Sequence, residues 1–224
     1  MIRIKPIEMP TIPNGGGTVT SLAFQKQDAS RCSVFLDESY AFGLHIDIVM
    51  REGLKKDMRL SEDACTSLVE EDMYFKAMKR CLDYIQYRPR TKKEIQTRLT
   101  QLAVSETASE KVLTKLDEMS LIDDREFARM FVESRVRSKG FGTMRIKREL
   151  IHKGVPSDMA DEALKMYYPQ GEQESQLTQQ VILALRKYRK ESDQKKRDHK
   201  VIQFLMRRGF EPGAIKTELK SAAN

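Results

Sequence analysis

Residues 120–155 read SLIDDREFARMFVESRVRSKGFGTMRIKRELIHKGV, and the fold turns on this stretch. Asp123 with Glu126 three residues on is a capping box, in which a side-chain acceptor takes up N–H groups that a helix start leaves unpaired. It opens a helix expected over Asp124–Ser138. Ile146 and Leu150 lie four apart, on one face of a second helix. Gly154 supplies the left-handed residue that ends this helix. Val155 and Pro156 then lead into a third helix carrying Leu164.

Working outward, Ile146, Leu150, Val155 and Leu164 stand at offsets 0, +4, +9 and +18. Ile95, Leu99, Val104 and Leu113 repeat those offsets upstream, and Val201, Leu205, Phe210 and Leu219 repeat them downstream. Gly209 and Pro212 echo Gly154 and Pro156, while Thr91-x-x-Glu94 is a capping box for the first copy. Ala103 replaces the glycine there, so that turn is expected to differ. A further helix is expected before each pair, over Met73–Tyr87, Asp124–Ser138 and Gln176–Lys190. The pattern predicts a mainly α protein of three tandem three-helix repeats. Units this small cannot bury an apolar face alone, so stacking into an elongated, curved array is expected.

The first sixty residues follow another rule. Thr18–Gln27, Arg31–Asp37 and Tyr40–Val49 are rich in β-branched and aromatic side chains, and Phe42, Leu44, Ile46 and Ile48 alternate with less apolar neighbours. A small three-stranded antiparallel sheet is expected. Asn14-Gly15-Gly16-Gly17 is read as a turn, since no Lys-Ser/Thr follows to make a phosphate loop. Ser61, with Glu62 and Asp63 behind it, caps the first long helix. The expected divisions are 1–60 (β-rich extension), 61–122 (linking helix and first repeat), 123–170 (second repeat) and 171–224 (third repeat).

Charge rises along the chain. Of a net +7, residues 171–224 hold +5, from twelve cations against seven carboxylates. Such a bias suits an acidic partner, nucleic acid or protein. No apolar run approaches the ~18 residues of a membrane span, and Cys32, Cys65 and Cys81 are too few and scattered for a disulfide framework. A reduced, cytoplasmic protein without membrane contact is expected.

The same residues carry a family resemblance. Leu121-Ile122-Asp123-Asp124, Phe127-Ala128, Phe131-Val132, Gly140, Ile146, Glu149-Leu150 and Lys153-Gly154-Val155 resemble the central repeat of the RecX proteins, bacterial regulators of the RecA recombinase. Phe204-Leu-Met-Arg-Arg-Gly-Phe210 is similar to the third repeat of that family, and the likeness runs over residues 72–222. The resemblance implies binding to RecA or its nucleoprotein filament. It further implies modulation, usually inhibition, of the RecA ATPase, strand exchange and coprotease activities, in DNA repair, homologous recombination and the SOS response.

A basic array lying along a filament groove would draw on exposed cations. The candidates are Arg145, Lys147, Arg148, Arg186, Lys187, Arg189, Lys190, Arg207 and Arg208. Arg145, Arg148 and His152 share a helix face apart from Ile146 and Leu150. The plainer account of Lys153, Arg207 and Arg208 is that cations in a last helical turn favour the helix dipole without any partner. Asp123-Asp124 is likewise explained by an N-cap and a first-turn carboxylate, and His45, His152 and His199 have no metal-ligand spacing. No catalytic motif, metal or cofactor is expected. With no Trp, base stacking is not expected either, so any DNA contact should be sequence-blind and made to phosphate. The chain is expected to act as a monomer. The rival reading is a sequence-specific helix-turn-helix DNA-binding regulator.

Overall fold

The computed structural model describes residues 4–222. Strands β1 (Gly17–Gln25), β2 (Asp28–Leu36) and β3 (Ser39–His45) form an antiparallel meander, and a short β4 (Arg59–Leu60) pairs with the start of β1. The sheet therefore has four strands in the order β3-β2-β1-β4, one more than expected. At two residues, β4 is too short to leave a periodic signal.

The third strand also ends early. Helix α1 (Ile46–Arg51) takes over after His45, whose Nδ1 accepts the Asp47 N–H at 3.3 Å. Ile48 fits an alternating strand or a helix equally well, and its burial together with Val49 puts both on the inner side of α1. Val19, Cys32, Val34, Leu36, Phe42 and Leu44 line the buried face of the sheet.

Helix α2 (Glu62–Gln86) runs unbroken for 25 residues. Its start is capped by Ser61, which accepts the Ala64 N–H at 3.2 Å. Cys65, Leu68 and Val69 enter the core of the sheet. Asp72, only 1% exposed, takes the His45 N–H on Oδ1 at 2.8 Å and Arg31 Nη2 on Oδ2 at 2.7 Å, with Lys76 Nζ 2.9 Å away. The buried carboxylate is thus paired and hydrogen-bonded, as burial of a charge requires. It fastens β2 and β3 to α2.

Eight helices follow α2 among the described residues: α3 (Lys92–Gln101), α4 (Glu106–Glu118), α5 (Asp124–Lys139), α6 (Thr143–His152), α7 (Ser157–Tyr167), α8 (Gln170–Lys187), α9 (Gln194–Arg207) and α10 (Pro212–Ser221). Helix α8 starts earlier than expected, after Pro169, and stops at Lys187, so Arg189 and Lys190 lie in the turn beyond it. The described residues pack as two units. One holds residues up to Pro89 with Ile95–Leu121, the other Arg90–Glu94 with the residues from Ile122 on. In the second unit, Phe127, Phe131, Val132, Ile146, Leu150 and Leu164 make one apolar core, and Leu177, Val181, Val201, Leu205 and Ile215 another.

The Ala103 turn keeps the hydrogen bond of its two counterparts, but its φ lies well below the +96° of Gly154 and the +90° of Gly209. Ala103 adopts φ +56°, and Val104 N–H reaches Leu99 O at 3.2 Å, just as Val155 reaches Leu150 (3.1 Å) and Phe210 reaches Leu205 (3.2 Å). Alanine enters the left-handed region at a cost of about 1 kcal/mol, which the surrounding turn sustains.

Candidate partner-binding surface

In the second unit the middle helices meet end to start. Gly142 N–H donates to Arg208 O at 2.9 Å and Met144 N–H to Gly209 O at 3.2 Å, so the carbonyl end of α9 supplies acceptors to the amide end of α6. The far end of α6 does the same for the first turn of α3: Thr91 Oγ1 donates to Lys153 O at 2.6 Å. Thr91, fully buried, also accepts the Glu94 N–H at 3.1 Å, and Glu94 pairs with Lys153 at 3.0 Å. Carbonyls that a helix end leaves unpaired thus find donors outside their own helix, the α6 amides in the case of α9 and the Thr91 hydroxyl in the case of α6. Asp123 and Asp124 are both occupied by this framework: Asp123 caps α5 through the N–H groups of Arg125 and Glu126, and Asp124 Oδ1 takes the Lys92 N–H at 2.9 Å.

The α9–α6 joint gathers cations. The Arg145 guanidinium lies 3.8 Å from the centroid of Phe141. Arg208 lies 5.6 Å from Phe141 and 5.3 Å from Phe204, and Lys187 Nζ sits 4.3 Å from Phe204. Aromatic rings and cations alternate in a ladder, each ring face offering negative potential to its neighbours. Arg145 Nη1 and Arg208 Nη2 also donate to the carbonyls of Arg207 and Lys139. Burial, reinforced by nearby Arg145, lowers the Arg208 pKa, and its Nε has no partner among the described residues. Glu149 is the carboxylate at this joint, shared by Arg135 (2.9 Å) and Arg145 (3.0 Å). Burial pushes the pKa of Glu149 up, but the hydrogen bonds from these two arginines outweigh it and the net shift is downward.

The nine candidate cations thus have different surroundings. Arg145, Lys187 and Arg208 come together on the ladder, and Lys147 is held by Asp161 at 2.6 Å. Arg148 and His152 border a groove with Glu149 and Lys153, and Arg145 reaches the same Glu149 at 3.0 Å. Arg148, Arg186, Arg189, Lys190 and Arg207 are exposed, with no side-chain ion pair among the described residues. Phe141 and Phe204, the rungs of the ladder, are not among the candidates that the sequence offers. Their signal is present but weak: Phe141 stands between two glycines, and Phe204 lies four residues before Arg208, the C-cap of α9.

Among the described residues, no three His, Cys, Asp or Glu side chains gather to hold a metal ion, and no helix is long and apolar enough to cross a membrane. Cys32, Cys65 and Cys81 are buried and unpaired. For Cys81, burial raises the thiol pKa to about 11, which keeps it protonated and inert.

Comparison with known proteins agrees with this framework. Residues 17–61 match the RecX N-terminal domain, 77–116 the first RecX three-helix domain, 123–164 the second and 172–218 the third. The match to 17–61 extends the likeness beyond residues 72–222 and into the sheet. The chain is 29% identical to the regulatory protein RecX of Clostridium perfringens over 87% of this chain and 91% of that one. It is 31% identical to that of Bacillus licheniformis, over 90% and 76% respectively. A crystal structure of regulatory protein RecX superimposes with a TM-score of 0.73 at 28% identity, covering 89% of this chain and 98% of that one. RecX from Lactobacillus salivarius superimposes at 0.61 and 25% identity, covering 67% and 97%. With an N-terminal domain and all three helical domains matched in order, the chain belongs to the RecX family of regulatory proteins.

Proposed function

We propose that this chain binds a RecA-type recombinase, alone or as its filament on single-stranded DNA, and modulates it, with inhibition of ATPase, strand exchange and coprotease activity as the direction. It does so as a cytoplasmic monomer and without catalysis of its own. Family membership supports the partner. The observation that carries the mode of action is the set of cations around the α9–α6 joint and the end of α8. Arg148, Arg186, Arg189, Lys190 and Arg207 are exposed and uncompensated, and they attract an acidic partner and speed its capture. Their contacts with DNA phosphate are secondary and blind to sequence.

The helix-turn-helix reading fares worse. The helices following each tight turn, α4, α7 and α10, would be the recognition helices, and none contains an Arg, Asn or Gln, which leaves lysine as their one cationic reader of base edges.

The test is the single-stranded-DNA-dependent ATPase of a RecA-type recombinase, titrated with this protein. A change well below one molecule per recombinase protomer supports filament regulation. No change, together with tight binding to one duplex sequence, overturns it.

A further inference from the structure

Helix α8 turns Leu177, Val181 and Ala184 into the core of the third repeat. On the opposite face stand Ile182, 44% exposed, and Leu183, 53% exposed, with Arg186 one turn further on. Single exposed aliphatic residues are ordinary on protein surfaces. An adjacent pair directly opposite the core, followed by cations without ion pairs, is a more specific arrangement. The corresponding helix of the second repeat, α5, carries exposed Ser134, Arg137 and Ser138 on its outer side, with Met130 as its exposed large apolar residue.

The basic run at the end of α8 divides by direction. Lys187 is turned onto Phe204, and Tyr188 packs partly buried against the core. Arg186 remains in solvent on α8 one turn after the aliphatic pair, and Arg189 and Lys190 remain in solvent in the turn that follows.

We propose that the outer face of α8 and the turn that follows it, with Ile182 and Leu183 as apolar centre and Arg186, Arg189 and Lys190 as the basic end, form a docking surface for an acidic protein surface with an apolar side chain at its middle. The proposal rests on the regulatory reading above and names the face that meets the recombinase. Charge complementarity sets the acidic character of the partner. The aliphatic pair sets its class: two hydrocarbon side chains gain from burial against protein, whereas a phosphate backbone offers them no apolar surface. An apolar centre with polar residues at its edge is also the usual anatomy of a protein interface.

The test compares the full-length wild type with I182S/L183S and with R186E/K190E. For each, the concentration giving half-maximal effect on the ATPase of a RecA-type filament is measured, alongside melting temperature and binding to the same single-stranded DNA without recombinase. The expected result for I182S/L183S is a rise of about tenfold or more in that concentration, with melting temperature and DNA binding unchanged. R186E/K190E should give a rise that shrinks as salt increases. A wild-type effect on the filament that I182S/L183S preserves in full overturns the surface and leaves the regulatory reading intact. Loss of DNA binding by I182S/L183S in parallel with its loss of effect also overturns the surface, since the face would then serve DNA. A wild type without effect on the filament overturns both.

Discussion

Thr91 Oγ1 donates to the backbone carbonyl of Lys153 at 2.6 Å, joining residues 62 positions apart where the end of α6 meets the start of α3. Gly142 and Arg208 hold the corresponding relation one repeat further on, with a backbone N–H as donor. The middle helices are thus linked by the groups that every helix leaves unsatisfied at its ends. The first joint adds a buried side chain and the Lys153–Glu94 pair, whereas the second uses backbone groups and a ladder of cations and rings.

Thr91→Val removes the hydroxyl that serves both Lys153 O and the Glu94 N–H. It should destabilise the protein by about 1–3 kcal/mol, as expected for a lost N-cap and an unsatisfied buried carbonyl. Thr91→Ser keeps both bonds and should stay within about 1 kcal/mol of wild type. Urea denaturation followed by circular dichroism measures the difference, and equal losses in the two variants would refute the role given to the hydroxyl.

The three turn residues should respond in opposite senses. A Cβ on Gly154 would overlap the side chain of Lys93, and one on Gly209 would overlap Arg145, at φ +96° and +90°. Gly154→Ala and Gly209→Ala should each cost roughly 2–4 kcal/mol, combining strain with overlap. Ala103→Gly should instead stabilise by about 0.5–1 kcal/mol, because a left-handed alanine is relieved. Thermal melts of the three variants decide this, and a destabilised Ala103→Gly would contradict it.

Glu149 should make stability depend on acid. Its pKa in the fold lies below the ordinary 4.5. Its contribution is therefore fully present above the unfolded value and is lost as pH falls through the lower folded value. Glu149→Gln should be less stable than wild type near neutral pH, with the gap narrowing as pH drops below about 4.5. Denaturation midpoints across that range provide the check, and a gap independent of pH would rule this linkage out.

Asp72 should be indispensable to the first unit. Asp72→Ala leaves Arg31, 16% exposed, without its carboxylate and the His45 N–H without its acceptor. Breaking one side of a buried pair costs about 3–5 kcal/mol. Removing residues 1–60 would in addition bare Cys65, Leu68 and Val69, so the truncated chain should lose helix signal from α2. If it retained full helicity and a sharp melt, the sheet would be an independent module.

Much of this molecule was legible in its sequence because local rules are written in adjacent residues. The offsets of Ile146, Leu150, Val155 and Leu164, the capping pair Thr91 and Glu94, and the glycines at 154 and 209 specify helices, starts and stops through contacts within a few residues. The sheet was visible through alternation, but β4 was too short to alternate and Ile48 fitted two periods at once. The cations were legible as types and not as roles. Nothing local tells Arg148, left in solvent, from Lys147, held by Asp161, or sends Lys187 onto Phe204 and leaves Arg186 outside.

The sequence by itself determined the helical pattern of the repeats, how often the unit recurs and which family the units resemble. Tertiary structure alone decided where helix ends would be satisfied. A terminal N–H or C=O needs a partner but does not specify which one, and Lys153 meets Thr91, as Arg208 meets Gly142, only after distant segments have packed. The same packing sorted cations of equal charge into those spent on rings and carboxylates and those left for a partner, because electrostatic role depends on neighbours in space and not on order along the chain.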